Sequence, residues 1–176
     1  MKILLIASIL LSALPAGSMA DSPKVTRTML EAMEHSMDRK LVGLWPQDPV
    51  EVLGVSQGAY VHGYGAVFLT EVNLAPAAGI SPFHPSVSAD EIRRTHEKKL
   101  QRMAALRTTM RAMLMDSARS LDSLPVDDQV AVGLSLFYWT WENHEGMPSQ
   151  IVMHASRKTL LQATTPDQAQ IAAEEF

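Results

Sequence analysis

The chain contains no cysteine among its 176 residues. Disulfide bonds, thiolate metal sites, covalently attached haem and a cysteine nucleophile are therefore excluded, and so is a lipid anchor on cysteine. Small exported domains often depend on disulfides. If this chain is exported, its hydrophobic core alone must hold the fold together.

The usual catalytic signatures are also missing. The sequence has no G-x-S-x-G, no H-E-x-x-H, no P-loop, no G-x-G-x-x-G and no EF-hand loop. The Gly-Tyr-Gly segment at 63–65 is too short for a nucleotide-binding loop, and no suitable helix follows it. These absences favour a non-enzymatic protein, and no cofactor is predicted.

Positive charge is scarce as well. The chain has 15 Lys and Arg against 19 Asp and Glu, a formal charge of −4. A mildly acidic protein is a poor general binder of nucleic acid, since such binding depends on neutralising phosphates.

The N-terminus has the pattern of a secretory signal peptide. Lys2 precedes an apolar run over 3–14, and Ser18-Met19-Ala20 offers the small residues that signal peptidase reads. The run of 12 residues is shorter than the roughly 18–20 needed to span a bilayer. We predict a signal peptide over 1–20, a product that begins at Asp21, and a periplasmic or secreted location. An uncleaved N-terminal anchor is the alternative.

Two segments have the periodicity of amphipathic helices, at about 23–42 and over some 33 residues from Ser88. Ser88 and Glu91 have the spacing of a capping box. Apolar side chains three or four apart predict the buried face of the long helix: Ile92, His96, Leu100, Met103, Leu106, Met110, Met113, Leu114 and Leu121. Basic residues predict its exposed face: Arg93, Arg94, Lys98, Lys99, Arg102, Arg107 and Arg111.

Two further segments predict hairpins. Residues 50–73 read as two strands, with a turn signal at Gln57-Gly58 and a bend near 63–65. Residues 129–142 are apolar on both faces, as in a central strand, and 149–155 would be the partner strand.

The order of elements predicts an α+β fold. One antiparallel sheet of about four strands, formed by the two hairpins, would pack against the N-terminal helix and the long central helix. We expect a single domain over 21–164, followed by a flexible or weakly helical tail over 165–176.

Two short segments carry a resemblance to other proteins. Residues 63–68 (Gly-Tyr-Gly-Ala-Val-Phe) and 136–141 (Leu-Phe-Tyr-Trp-Thr-Trp) resemble exported bacterial proteins of uncharacterised families. The resemblance covers about residues 50–160, includes no catalytic motif and implies no activity.

Histidine and glutamate residues of the predicted sheet suggest an alternative function, a small periplasmic metal-binding protein or hydrolase. Glu71 lies late in an apolar strand, and an inward orientation would raise its pKa and make it a general-base candidate, with His62 as a second catalytic candidate. Glu142, His144 and His154 could meet across the last hairpin and suit a divalent metal such as zinc. The simpler interpretation is that these scattered residues are surface or core groups.

Methionine is abundant in the first helix. Met29, Met33 and Met37 recur every four residues beside His35. Thioethers bind Cu(I), but a methionine stripe at helical spacing is first of all a core face.

Aromatic residues supply the leading binding hypothesis. Strand alternation would place Trp139 and Trp141 on one face, together with Phe137, and helices packed on the other face would leave them uncovered. Exposed apolar patches mark binding sites, and tryptophan is frequent in them. We therefore predict an exported non-enzymatic domain that binds an envelope protein, a second copy of itself, or an apolar ligand held near Phe83. Burial of these tryptophans under the N-terminal helix is the alternative.

Overall fold

The computed structural model describes residues 25–77 and 86–176. The predicted signal peptide and Phe83 lie outside these ranges. Within them, no helix is long and apolar enough to cross a membrane. The elements are α1 (Arg27–Val42), β1 (Glu51–Val61), β2 (Gly65–Asn73), α2 (Ala89–Ser120), β3 (Gln129–Leu136), β4 (Gln150–Ser156), α3 (Arg157–Gln162) and β5 (Ala172–Glu175).

The fold is α+β, as predicted, with helices packed against a sheet in the order β1-β2-β3-β4-β5. The sheet is mixed and has five strands, which corrects the expected antiparallel sheet of about four. Strands β2 and β3 run parallel, from the pair Gly65↔Gln129 to the pair Val72↔Leu136. A parallel pair needs a long connection, and α2 supplies it. At Gly65 the strands approach so closely that a Cβ atom would lie 1.9 Å from the carbonyl oxygen of Gln129.

The predicted flexible or weakly helical tail contains a short 3-10 helix at Pro166–Gln168, but the fifth strand corrects the prediction over its last residues. β5 pairs antiparallel with β4, from Ile151↔Glu175 to His154↔Ala172. Its sequence, Ala-Ala-Glu-Glu, consists of residues that are depleted in strands. The free edge of β4, which no local sequence pattern reveals, decides its conformation.

The first hairpin turns later than the sequence suggests. Gln57 and Gly58 lie inside β1, and the chain reverses at 62–64. A Cβ atom on Gly58 would lie 2.6 Å from the ring of Phe68, and the Gly58 amide donates to Glu34 Oε1 at 2.6 Å. Gly58 therefore allows a close approach between layers instead of forming a turn.

Helix α1 packs its methionine stripe into the core. Met33, Met37 and Leu41 are buried there, which supports the core interpretation of the stripe over a copper site. Beside them, Asp38 Oδ1 accepts the Ser56 amide of β1 at 3.0 Å. Carboxylates of α1 thus satisfy backbone donors of the outermost strand, whose edge would otherwise be open to pairing.

Helix α2 begins as predicted, with both hydrogen bonds of the Ser88–Glu91 capping box present. Its expected apolar face is buried from Met103 onward, but Leu100 is 42% exposed. Lys99 and Arg102, which were expected on the outer face, are buried. The N-terminal half of the helix faces carbonyl and carboxylate groups, and these make burial of its cations feasible.

Strand β3 ends at Leu136, six residues before the predicted end at Glu142. The amide of Phe137 still donates to the Val72 carbonyl at 2.9 Å, and the chain then turns so that the Glu142 amide bonds the Trp139 carbonyl at 3.0 Å. The strand alternation that was expected to align Trp139 and Trp141 therefore does not apply.

Candidate ligand-binding pocket

The connection between β3 and β4, residues 137–149, lies at the carboxyl end of the parallel strands β2 and β3. We call it the aromatic loop. Crevices beyond the carboxyl ends of parallel strands are common ligand sites. The N-terminal half of α2 contacts the loop, because Lys99 Nζ donates to the Phe137 carbonyl at 2.9 Å.

A buried ion pair holds the aromatic loop in place. Lys99 Nζ lies 2.5 Å from Glu142 Oε2, and each side chain is only 1% exposed. The Lys99 ammonium also lies 4.7 Å from the centre of the Tyr138 ring. Glu142 Oε1 accepts the Trp139 amide at 3.2 Å. Together, the two charged groups fix the loop at three successive residues, 137–139.

Burial shapes the ionisation of this cluster. Desolvation lowers the pKa of Lys99, while its ion pair with Glu142 opposes that shift. Burial and the nearby Glu142 carboxylate raise the pKa of Tyr138 to about 12. Because the Lys99 amine is shielded from solvent and already bonded, it suits a positioning role better than nucleophilic chemistry.

The aromatic loop borders an open pocket of about 230 Å³. Its lining residues are Tyr138, Trp139, Thr140, His144, Met147 and Ser149. They offer the rings of Tyr138 and Trp139, a thioether, three hydroxyls and an imidazole, and none carries a carboxylate or an ammonium group.

Ring contacts organise the pocket. Trp139 is 39% exposed and meets the Phe137 ring edge-on, with centroids 5.0 Å apart and an interplanar angle of 87°. The Tyr138 and His144 rings lie 5.5 Å apart. The Tyr138 hydroxyl donates to the Pro148 carbonyl at 2.8 Å and so joins the two ends of the loop.

A second ionic cluster lies next to the Lys99–Glu142 pair. The Arg102 guanidinium lies 4.6 Å from the Trp45 ring centre, donates to the Leu74 carbonyl and contacts Asp48 Oδ2 at 2.5 Å. A hydrogen bond from Lys98, together with the charge of Arg102, lowers the pKa of Asp48. This cluster ties the end of β2 and the α1–β1 connection to α2.

Only some of the predicted binding residues lie at the pocket. Trp139 lines the pocket and Phe137 packs beside it. Trp141 is half-buried, and its indole N–H has no acceptor among the described residues. Phe83 lies outside the described ranges.

The three residues predicted as metal ligands do not lie together. Glu142 is paired with Lys99, and His144 lines the pocket. His154 is paired with Ala131, five positions before the end of β3 and so roughly 16 Å along the strand from the loop. In the described ranges, no three His, Asp or Glu side chains are placed to hold a metal ion.

The catalytic candidates do not line the pocket of the aromatic loop. His62 is exposed in the β1–β2 turn. Glu71 is exposed on the sheet face opposite the helices, since its neighbours in β2, Thr70 and Val72, point into the core. The inward orientation that the general-base hypothesis required is therefore absent.

Lys99 and Arg102 are the site residues that the sequence reasoning missed. Both were assigned to the outer face of α2 on charge alone. Their spacing held a usable signal, because Lys99 precedes Met103 by four residues and Arg102 precedes Leu106 by four. Helical spacing alone would therefore have placed both cations beside the buried stripe.

Comparisons with known proteins add no assignment. No protein-family model, curated protein or solved structure matches the chain at a significant level. The functional argument therefore depends on the geometry of the aromatic loop.

Proposed function

We propose that this chain is an exported, non-enzymatic domain that binds a small uncharged ligand in the pocket of the aromatic loop. The observation that supports it is the partly exposed Trp139 beside a cavity of about 230 Å³, in a loop fixed by the fully buried Lys99–Glu142 pair. A site that is already held in shape loses less conformational entropy when a ligand binds. The N-terminal signal pattern supports a periplasmic or extracellular location.

The lining chemistry narrows the ligand class. Pockets for drug-sized molecules measure roughly 300–1,000 Å³, so the ligand here would be smaller or would stay partly exposed. The rings of Tyr138 and Trp139 suit an apolar face, while Thr140, His144 and Ser149 offer hydrogen bonds. A compact amphipathic molecule such as a monosaccharide or a phenol has both features.

The alternative, a small metal-binding protein or hydrolase, has less support. Its catalytic candidates, His62 and Glu71, are exposed and do not line the pocket. Its metal candidates are divided between an ion pair, the pocket and a distant strand position. We propose no cofactor for the binding function.

Saturation-transfer NMR with neutral probes tests the proposal. Methyl glucoside and phenol would be added separately to the protein and to the Trp139→Thr variant. We expect one probe to receive saturation from the protein and to lose it in the variant, with an unchanged unfolding midpoint. Trp45→Phe is the matched control, because it changes a tryptophan outside the pocket and should keep the signal.

Three outcomes would count against the proposal. If neither probe receives saturation, the pocket does not bind a small neutral ligand of either kind. Equal saturation in the protein and in Trp139→Thr would place binding elsewhere. If Trp139→Thr captures no probe and also unfolds, the tryptophan is core, and the binding surface loses its main support.

A further inference from the structure

One face of the sheet has no cover from the described helices. Helices α1, α2 and α3 share a core cluster with one set of alternate strand residues, which includes Phe68, Val132 and Met153. The residues between them lie on the other side of the sheet, and Leu69 among them is 52% exposed. We call this side the outer face.

The composition of the outer face differs from that of a solvated sheet. Parallel strands are almost always covered on both faces, and β2 and β3 run parallel from Gly65 to Val72. The two middle levels of these strands and of β4 carry apolar and small residues with one histidine on the outer face: Val67, Ala131, His154, Leu69, Gly133 and Val152. This pattern indicates that another layer covers the face.

Small residues form a shallow groove along the middle of the outer face. Ala131 and Gly133 lie on β3, between Leu69 on β2 and Val152 on β4. A Cβ atom on Gly133 would lie 2.7 Å from Leu69 Cδ2 and 3.8 Å from Val152 Cγ2. The larger side chains therefore stand on both sides of β3, and a second sheet can approach closely along this strand.

We propose that the outer face binds the outer face of a second copy of this chain, so that the two sheets form a sandwich about a two-fold axis along β3. Two-fold symmetry places the same surface of each copy against itself. This axis places β2 of one copy over β4 of the other. Leu69 and Val152 are level with Gly133, so Leu69 of each copy would pack against Val152 of the other.

The charges of the outer face fit this arrangement. At the levels of residues 65–71 of β2, the outer face of the described strands carries two carboxylates, Glu71 and Glu174, and no lysine or arginine. The same axis places Glu71 over Gln150 of the other copy, and Glu174 over Gln57. The crossing angle of about 30° between packed sheets shifts these pairs by about one residue, which side chains of this length can span. Each carboxylate thus meets an amide and not a second carboxylate.

The area of the outer face is sufficient for a dimer. Five strands about 4.8 Å apart, over the seven levels of residues 65–71 at about 3.3 Å each, give roughly 550 Å² per copy. Two copies would bury about 1,100 Å² together, above the roughly 1,000 Å² that a specific interface needs. This interface goes beyond the proposed ligand binding and depends on different residues.

Sedimentation velocity over a range of protein concentrations measures the proposed dimer. Leu69→Glu would place two carboxylates in the interface, one from each copy, and burial of an unpaired charge is costly. We expect the unaltered protein to dimerise, and the dissociation constant of Leu69→Glu to be at least about 100-fold higher. Leu161→Glu makes the same change at an exposed position of α3 and should dimerise like the unaltered protein.

Cross-linking tests the position of the axis. The chain has no cysteine, so Ser135→Cys introduces a single thiol on the outer face of β3, close to the axis. A bis-maleimide that spans about 10 Å, the distance between packed sheets, should then link two chains. Ser120→Cys, exposed at the end of α2, is the control and should give little product. The serine-to-cysteine change is small, so it tests the interface even if Leu69→Glu does not fold.

Three results would overturn the proposal. The first is a folded, unaltered protein that stays monomeric at high concentration, which would leave the outer face to a different partner. The second is a folded Leu69→Glu that dimerises as tightly as Leu161→Glu, which would place the interface elsewhere. The third is equal cross-linking of Ser135→Cys and Ser120→Cys. Far-UV circular dichroism would show whether each variant is folded.

Discussion

The two halves of α2 bury different chemistry. The C-terminal half contributes only uncharged side chains to the interior, chiefly methionine and leucine such as Met110, Met113 and Leu114. The N-terminal half buries Lys99 and Arg102, and each cation bonds carbonyl and carboxylate groups of the connections around it. One half of the helix holds the sheet, and the other half holds the loops.

The buried charges and the apolar side chains differ more in how strictly they orient their neighbours than in how much they stabilise the fold. Removing a charge from water costs several kcal/mol, and a well-packed apolar side chain often stabilises as much as a buried ion pair. Apolar contacts have no preferred orientation, whereas Lys99 bonds one carbonyl and one carboxylate at fixed positions. We interpret the charged half as the part of the core that orients the aromatic loop.

The largest effect is expected at the ion pair. Glu142→Leu leaves the Lys99 ammonium buried without its counter-ion and should lower the free energy of unfolding by about 3–5 kcal/mol, measured by urea unfolding. Adding Lys99→Met should recover most of the stability. The double variant should still show altered tryptophan fluorescence, because the loop that carries Trp139 and Trp141 has lost its attachments. A double variant with unchanged fluorescence would show that the pair does not orient the loop.

A smaller effect is expected in the apolar half. Met110→Ala leaves a cavity in the core and should cost about 2–4 kcal/mol in the same assay. Its tryptophan emission should stay unchanged, since Met110 lies in the half that holds the sheet. Leu100→Ala, at a 42% exposed position, is the control and should cost less than about 1 kcal/mol. A shift of the tryptophan emission in Met110→Ala would show that the C-terminal half of α2 also orients the aromatic loop.

The smallest effect is expected from the ionisation of Tyr138. Its pKa is about 12 in the folded protein against 10.0 for the free group, so the folded state retains a proton that the unfolded state releases. The stability that this group contributes is therefore complete below pH 10 and is lost as the pH rises through about 12.

Urea unfolding of Tyr138→Phe at several alkaline pH values measures this contribution. The variant should show a shallower loss of stability in that window than the unaltered protein. Lys99 is present in both proteins, so its own titration affects both curves. Parallel curves would show that Tyr138 ionises like an exposed tyrosine.

Local sequence signals predicted the helices well. The Ser88–Glu91 capping box fixed the start of α2, and the methionine stripe of α1 correctly indicated a core face. The capping box and the methionine stripe both depend on residues within one or two helical turns of each other, so the sequence shows them directly.

Other features depend on partners distant in the chain. The parallel pairing of β2 with β3, the strand at 172–175 and the burial of Lys99 are all set by segments that lie far away in sequence. The first part of the aromatic loop, residues 137–142, was predicted as strand because its residues have high β-propensity. Glu142 was considered as a metal ligand and not as the partner of a buried lysine. Trp139 does line the pocket, although the strand geometry that suggested it was wrong.

The parallel pairing of β2 with β3 also has a consequence for the order of folding. Gly65 and Gln129 are partners although 129 − 65 = 64 residues separate them, and contacts between distant segments form slowly. Helix α2 can form early from local interactions, but the pocket at the end of these strands needs both strands in register. Capture of the proposed ligand would then be the last property that the newly synthesised chain acquires, and its appearance would mark the completion of folding.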